Sequence, residues 1–530
     1  MAFCRLLRLT CHESLFGTLW RRLFTWLVSG PPAKLYRALA ETYRTSRFGS
    51  LLHRFFTWLG AQWDGSRSHW RIYRRGLFER SWERSLFCQV LTWILSLPLR
   101  LFQWLYQSLK GILDGSVCVR FVLGIGEHAC VAVFALFSVL LSLHQEHYRN
   151  TYLLAVAGII LFLVYLGRIR KPAERISMRA VQPWVVLFFL CAVISILAAV
   201  DFSLSVRYLT YYIPCAMLVL AMVHAADTPK HLEWSASGLL VGVCATALYG
   251  FYQFFVIGVD PSSSYTDLAL NAGMPGRVYS LYDNPNALGA FFLLTLPVIA
   301  ALVLASPRKG RRAVAAVAGV LGFICLLMTY SRSSWVALMV AGVLYLLLWK
   351  RSALPYSMLV AVALLPLLPD VILNRLATIV NPNDTSASSR TALFSAGWRV
   401  FQDAPLTGVG LGEDAVRAVV NNNYYFREKM QFIHAHNMLL QIGAEMGILG
   451  VIPYVGAIFG TLRETMQAVR ETDCKLAKHV AIGGSSALVG SFVYGFADYL
   501  WTYPRVMFLF WFVFGLTLAA IRICRDNART

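Results

Sequence analysis

The sequence has few charged residues for its length. Only 14% of its 530 residues are charged, whereas an average soluble protein has about 25%. Hydrophobic residues make up 58% of the chain, and the mean hydropathy is +0.58. The apolar residues lie in blocks of roughly 18 or more, the length that crosses a bilayer. This pattern excludes an ordinary soluble fold and predicts an all-α, polytopic membrane protein.

A CxxC spacing is also missing, and we expect no leader segment. The chain has 11 cysteines, an odd number, and no CxxC spacing. Several lie inside apolar blocks, where we interpret them as small buried hydrophobic residues rather than as disulfides or zinc ligands. Basic residues interrupt the first apolar stretch, so we expect no cleavable signal peptide.

Positive charge is concentrated in the first 120 residues. They hold 18 Lys and Arg against 6 Asp and Glu, within a net charge of +21 for the whole chain. The segment "LFGTLWRRLFTWL" (15–27) recurs as "RFGSLLHRFFTWL" (47–59). Arginine mixed with Trp, Phe and Leu at helical spacing predicts amphipathic helices on the membrane surface, in contact with lipids. A nucleic-acid-binding arm is the alternative, but the aromatic content favours lipid.

We therefore predict an interfacial, cytoplasmic region at 1–121 and a polytopic domain at 122–525. The stretch 86–108 is ambiguous and could instead be re-entrant. About twelve transmembrane helices are predicted in the second region. They are 124–143, 151–167, 183–200, 206–225, 236–257, 287–305, 311–330, 334–350, 353–376, 437–462, 479–498 and 504–522.

The connecting loops predict the orientation. With both termini in the cytoplasm, the basic loops 167–179 and 306–312 also fall inside, as the positive-inside rule requires. The two long loops, 258–286 and 377–436, then lie outside. Because a 60-residue loop is too long for a simple connector, we expect function on this extracytoplasmic face.

Two histidines stand where the second long loop enters a span. His434 and His436 begin the run "HAHNMLLQIGAEMGILG". At 100° per residue, Gly443 and Gly447 share the face of His436, whereas Glu445 lies on the opposite face. A GxxxG spacing lets another helix approach closely. His436 is then either an inward-facing functional residue or a hydrogen-bonded structural one. No further His or Cys joins the pair at ligand spacing, so we predict no metal site.

Three arginines accompany the histidines in the predicted outer segments. They are Arg277, Arg332 and Arg390. Guanidinium groups bind phosphate oxygens in a planar, bidentate way and keep their charge. Arginines and a histidine facing one cavity would suit a diphosphate substrate, with the histidine taking a proton from an attacking hydroxyl. Arg332 could equally be an interface anchor, and sequence spacing does not show that these residues converge.

Four motifs in order resemble a known family. "GRVYSLYDNPNALG" (276–289) is followed by "TYSRSSW" (329–335), by "RTALFSAGWRVFQDAPLTGVGLG" (390–412) and by "HNMLLQIGAEMGILG" (436–450). "FADYLW" precedes the last span. This set is similar to the O-antigen ligase and polymerase superfamily of bacterial envelope glycosyltransferases, over about residues 125–525.

The resemblance implies a GT-C-like helical bundle in the bacterial plasma (inner) membrane. Such an enzyme transfers a glycan from an undecaprenyl-diphosphate carrier to a glycan, lipid or protein acceptor, without a metal or cofactor. The resemblance implies catalytic roles for His436, Arg277 and Arg390. It implies substrate binding by Arg332, Arg207, Asn437 and His434.

The basic N-terminal region departs from the family pattern and leaves its own role open. The resemblance does not separate ligase from polymerase. A transporter or flippase of lipid-linked saccharides is the alternative function, although such proteins carry midplane charges and internal repeats, which 122–525 lacks. A non-catalytic scaffold is a third interpretation.

Overall fold

Helices are the main secondary structure of the described part of the chain. The computed structural model describes residues 45–66, 76–259, 275–364, 369–377, 385–423 and 432–528, with single positions at 34, 38, 41, 42 and 366. Within these residues the regular secondary structure is helical and no strand is present. The predicted all-α fold is confirmed. The first copy of the N-terminal repeat, 15–27, lies outside the described residues.

The helices are numbered in chain order. The first half comprises α1 (Arg47–Asp64), α2 (Leu77–Arg84), α3 (Leu86–Ser108), α4 (Lys110–Leu113), α5 (Val117–Glu127), α6 (Ala129–Ser142), α7 (Thr151–Leu166), α8 (Pro183–Leu197), α9 (Phe202–Val206), α10 (Leu209–Ala225) and α11 (Pro229–Tyr252). The second half comprises α12 (Pro285–Ala305), α13 (Lys309–Met328), α14 (Arg332–Trp349), α15 (Leu354–Leu364), α16 (Asp370–Ala377), α17 (Thr385–Asp403), α18 (Glu413–Asn422), α19 (Met438–Glu471), α20 (Lys475–Tyr494) and α21 (Pro504–Asn527).

The chain divides into two compact units. The smaller comprises Met1–Ile72 and Lys350–Leu365, and its longer described helices are α1 and α15. The larger comprises Tyr73–Trp349 and Pro366–Thr530. Helices α2 to α5 belong to the larger unit, so this division falls near residue 72, whereas the sequence predicted a boundary after residue 121.

Nine of the described helices are long and apolar enough to cross a membrane. A tenth span results if α5 and α6, bent by 67°, are counted together, and α7 and α8 are shorter apolar helices. The ambiguous stretch 86–108 is one of the nine, as helix α3. The predicted span 353–376 is interrupted instead, because α15 ends at Leu364 and α16 begins at Asp370.

Helix α21 occupies the core of the larger unit. Nearly every residue from Val506 to Cys524 is buried, including the large side chains of Phe508, Trp511 and Phe512. A helix that is hydrophobic on all sides can be a membrane span or a core helix, and this burial shows that its neighbours enclose it. It packs between α10 and α20, and α19 also contacts it.

The segment after α17 is fastened to a break in α19. Gly447 has φ +61, which interrupts the helical backbone. Val409 N donates to Ala444 O at 2.9 Å, and Ile448 N donates to Pro405 O at 2.8 Å. A Cβ at Gly447 would lie 2.3 Å from the Leu406 backbone, so only glycine fits at this contact. The segment after α17 therefore completes the hydrogen bonding of the interrupted helix.

This break corrects the predicted helix face. The sequence argument ran one helix from His436 through Gly447, but α19 begins at Met438 and is interrupted at Gly447. Gly443 does allow a close approach, and the neighbour is Phe401 of α17. The predicted GxxxG therefore receives α17 and the segment after it rather than another long span.

Candidate functional site

A strained turn places His436 in front of α19. His436 has φ +46, an uncommon conformation for a residue other than glycine. Asn437 follows as the N-cap, and its side-chain oxygen accepts from Leu439 N and Leu440 N at 3.0 Å each. Met438 N donates to Gly495 O at 2.6 Å, which ties the turn to the end of α20. Such strain persists where the surroundings fix it and is concentrated at functional sites.

The side chain of His436 contacts a buried carboxylate. Its Nδ1 lies 2.9 Å from Asp498 Oδ1, which also accepts from Tyr499 N at 2.9 Å. The other oxygen, Oδ2, accepts from Asn286 Nδ2 at 3.2 Å and from Tyr494 OH at 3.3 Å. Burial alone would raise the pKa of Asp498, but the hydrogen bond and the charge of His436 hold it below its usual range. In the neutral form of His436, with Nδ1–H directed to this carboxylate, Nε2 is a proton acceptor.

His434 lies directly behind this pair. The ring centroids of His434 and His436 are 4.1 Å apart, and His434 Nδ1 accepts from His436 N at 3.1 Å. Burial lowers the pKa of His434 to about 3, with a further lowering from His436 that outweighs the opposing effect of Asp498. His434 is therefore neutral at physiological pH and supports the turn without adding charge.

Arg277 is joined to the same carboxylate through one amide. Its Nη2 donates to Asn286 Oδ1 at 2.6 Å, and its Nε donates to Thr329 O at 2.8 Å. The Asn286 amide thus accepts from Arg277 on one side and donates to Asp498 on the other. Hydrogen bonds through Asp498 and Asn286 therefore connect His436 to the buried guanidinium of Arg277.

Positive charges crowd around Arg277. Burial lowers the pKa of this guanidinium to about 9, and the charges of Arg375 and Arg390 act in the same direction. Arg332 contributes with the same sign. Arg277 still carries its charge at neutral pH, and a site where several guanidinium groups repel one another is electrostatically complementary to a polyanion.

A metal centre is the other chemistry that these residues suggest. Ligand atoms of His434, His436 and Asp498 lie within 4.8 Å of one another. However, both oxygens of Asp498 already accept two hydrogen bonds each, and His434 Nδ1 accepts from a backbone amide. The donor set therefore fits a histidine–aspartate pair better than a metal site, since a metal would have to take a lone pair that Asp498 already uses in a hydrogen bond.

Six of the seven predicted site residues lie at or near this centre, and one, Arg207, does not. His434, His436 and Asn437 form the turn, and Arg390 is close enough for its charge to act on Asp498. Arg277 and Arg332 join them, as described above. Arg207 is exposed, and its Nε donates to Ser203 O at 3.1 Å in its own helical turn. Within the described residues, no contact brings Arg207 to this centre.

The sequence analysis did not assign roles to Asp498, Asn286, Tyr494 and Arg375. Asp498 and Asn286 stand inside the motifs "FADYLW" and "DNPN", so a weak signal existed, but 62 residues separate Asp498 from His436. Arg375 was placed in a predicted span. It lies instead in the short helix α16, where its Nε donates to Tyr330 O at 3.3 Å.

Glu445 is also nearer to the site than its helical position predicted. It is fully buried, and its Oε1 accepts from Gln441 Nε2 at 2.8 Å and from Tyr499 OH at 3.2 Å. Gln441 Oε1 in turn accepts from Ala435 N at 2.8 Å. This chain supports the histidine turn from inside the bundle.

Two comparisons with known proteins bear on the family of this chain. Residues 317–455 match the family model described as O-antigen ligase. They confirm the resemblance to the O-antigen ligase and polymerase superfamily. An O-antigen ligase of Salmonella typhimurium is 28% identical over 153 residues, which are 26% of this chain and 36% of that relative. The match thus spans about a third of the curated relative. The O-antigen ligase segment includes Arg332, Arg375, Arg390 and His436, whereas Arg277 and Asp498 lie outside it.

Proposed function

We propose that this protein is a membrane glycosyltransferase of the ligase or polymerase type. It transfers a glycan from an undecaprenyl-diphosphate carrier to an acceptor hydroxyl on the extracytoplasmic face of the bacterial plasma membrane. The observation that carries the proposal is the chain from His436 through Asp498 and Asn286 to Arg277. A proton acceptor and a cationic cluster are thereby held in one connected centre.

The reaction is a single displacement that inverts the anomeric carbon. The acceptor oxygen forms a bond to that carbon while the bond from the carbon to the phosphate oxygen breaks. The hydroxyl proton goes to Nε2 of His436, and the imidazolium is stabilised by the Asp498 carboxylate. The electron pair of the broken bond leaves on undecaprenyl diphosphate. A positioned general base of this kind contributes about 10²–10⁴ in rate.

The arginines act on the leaving group. Arg277 and Arg390, with Arg332 and the additional Arg375, would bind the diphosphate oxygens and offset the charge that develops there. This supplies the stabilisation that a divalent cation gives in other phosphate chemistry, so we propose a metal-independent reaction. Before the donor binds, the guanidinium groups repel one another, and the diphosphate relieves that repulsion.

The charge pattern supports the proposed placement of the site outside the cell. The basic loops and the C-terminal tail alternate with the segments that carry Arg277 and His436. The positive-inside rule then puts these segments on the extracytoplasmic side. Membrane lipids are the proposed contact of the basic N-terminal region.

The test is glycan transfer by the purified protein in EDTA. The donor is an undecaprenyl-diphosphate-linked glycan, and the acceptors are a second copy of the donor, a lipid A-core and a peptide hydroxyl. Formation of a glycosylated acceptor together with released undecaprenyl diphosphate is expected, and the productive acceptor separates polymerase from ligase. Movement of the intact donor across reconstituted vesicles without transfer would contradict the enzyme and point to a transporter.

A further inference from the structure

A second cationic feature lies at the other end of the bundle. A cavity of about 450 Å³ opens between the end of α12 and the starts of α11, α13 and α20. Helix α12 begins at Pro285, beside the Asn286 of the site, and runs 21 residues to Ala305 at the cavity. At 1.5 Å per residue this separates the two by roughly 30 Å, the thickness of a bilayer core. The cavity is therefore not part of the proposed active site.

Four basic side chains line this cavity, each near a helix terminus. They are Lys230, Arg308, Arg312 and Lys475, and all four are exposed. Arg312 Nε donates to Ser306 O at 2.5 Å, which holds its guanidinium against the end of α12. Arg308 and Arg312 stand at the start of α13, Lys230 at the start of α11 and Lys475 at the start of α20, so the fold brings the starts of three helices together.

The acidic residue in the lining is already neutralised. Glu233 is buried, and its Oε2 lies 2.5 Å from Arg311 Nη1. Its Oε1 accepts a short hydrogen bond from the Ser306 hydroxyl. Arg311 also stacks on the Trp234 ring, with 4.9 Å from its guanidinium carbon to the ring centroid. The cavity therefore keeps a net positive charge.

The wall beneath these charges is apolar. Ala305 and Leu476 are buried, and Pro307 and Pro229 complete that side. A free phosphate would interact with the basic side chains but would make no apolar contact with the wall. A lipid with a phosphate headgroup uses both, since the headgroup meets the cations and the start of the acyl chain meets the wall.

We propose that this cavity, at the end of the bundle opposite His436, binds an anionic phospholipid. The headgroup phosphate lies among Lys230, Arg308, Arg312 and Lys475. Basic pockets between membrane helices are a recognised way of holding such headgroups. A cavity of this volume is also in the range of ligand pockets.

Two neighbouring lysines provide a matched control. Lys309 follows Arg308 at the start of α13, and Lys478 lies one turn after Lys475 in α20, but neither lines the cavity. The test variant is Arg308→Gln with Lys475→Gln, and the control variant is Lys309→Gln with Lys478→Gln. Both remove two positive charges from the same two helices, so a general loss of surface charge affects them equally.

The measurement is native mass spectrometry of the full chain, titrated with phosphatidylglycerol, phosphatidylethanolamine or glycerol phosphate. We expect phosphatidylglycerol to bind the test variant about thirty-fold more weakly than wild type, because each basic residue near an anionic headgroup contributes about a factor of five. The control variant should match wild type. Thermal unfolding of all three proteins confirms that they are folded.

Three results would overturn the proposal. Equal weakening of phosphatidylglycerol binding in the test and control variants would show that only the general surface charge matters. Equal binding of phosphatidylethanolamine and phosphatidylglycerol would remove the requirement for an anion. Glycerol phosphate binding as tightly as the lipid would leave a phosphate site without an acyl contact.

Discussion

Two histidine–aspartate pairs lie at opposite ends of the larger unit. At one end His436 Nδ1 is 2.9 Å from Asp498 Oδ1. At the other end, beside the start of α11, His231 Nδ1 is 2.6 Å from Asp227 Oδ1. The second contact is the shorter of the two. The distance between imidazole and carboxylate therefore does not separate the pair that we propose to be catalytic from a structural one.

The surroundings of the two pairs differ in burial and in charge. The Asp498 side chain is 10% exposed, whereas that of Asp227 is 27% exposed. Asp227 also lies 3.9 Å from Arg168, which pairs with Glu174 at 3.3 Å, so opposite charges alternate there. Asp498 instead accepts from the Asn286 amide, which accepts from Arg277, and further guanidinium groups crowd around Arg277. Alternating charges stabilise a fold, whereas crowded like charges are suited to binding an ion of opposite sign.

Replacing the aspartate of each pair should give the largest contrast. Asp498→Asn is expected to lower glycan transfer by about 10²–10⁴, because a neutral amide no longer stabilises the imidazolium of His436. Asp227→Asn should leave transfer within about twofold of wild type. The measurement is the initial rate with purified, folded protein. A comparable loss in both variants would contradict the distinction between the pairs.

Removing one arginine at each end should separate activity from stability. Arg277→Gln is expected to lower transfer by about 10²-fold, the effect of losing one donor to a developing negative charge. It should cost little stability, because it also relieves repulsion from Arg375 and Arg390. Arg168→Gln should instead lower the thermal midpoint, since Arg168 donates to His224 O at 2.8 Å and pairs with Glu174.

Both arginine variants need rates per folded molecule and melting curves in the same detergent. If Arg168→Gln lost transfer and kept its melting temperature, the assignment of the two ends would be reversed.

Because His434 is buried in its neutral form, acid should lower the stability of the folded protein. Its folded-state pKa of about 3 lies below the unfolded value of about 6.5, so the unfolded state binds the proton first. Its contribution is constant above about pH 6.5 and falls as the pH drops toward 3. At pH 5 the wild type should have lost roughly 2 kcal/mol relative to His434→Asn. Melting temperatures of both proteins at pH 7.5 and 5 test this, and parallel curves would refute it.

Truncating the N-terminus should have the smallest effect, provided that α2 and α3 remain. Deleting residues 1–72 is expected to leave transfer within about twofold, because the larger unit begins at Tyr73. Deleting residues 1–115 should destabilise the protein. It removes the bond from Gln103 Nε2 to Lys171 O at 2.8 Å and the pair of Glu79 with Arg463 at 2.8 Å. Loss of all transfer in the shorter deletion would favour the scaffold interpretation.

Local patterns in the sequence predicted the parts of the fold that depend on local composition. Apolar blocks located most of the long helices, and the position of His436 before a helix followed from the run that starts there. The break at Gly447 was not predicted, because periodicity assumes a continuous helix, and the interruption is stabilised by Pro405 and Val409, about 40 residues earlier.

The site was predictable only where one motif held the residue. Arg277, Arg390 and His436 each stand in a recognisable run of sequence. The contact of His436 with Asp498 depends on how α19 and α20 pack, and no spacing expresses it. A local spacing can also suggest a site where none is indicated. His231 and Asp227, four residues apart, form a local pair, and nothing around them points to chemistry. Arg375 required knowledge that its predicted span is broken.

The most direct measurement is glycan transfer from the undecaprenyl-diphosphate donor, in EDTA, by wild type, His436→Ala and His231→Ala. All three should fold, since neither histidine is fully buried. We predict that His436→Ala loses at least about 10²-fold in rate, the contribution of a general base, and that His231→Ala keeps the wild-type rate. Undiminished transfer by His436→Ala would contradict the account.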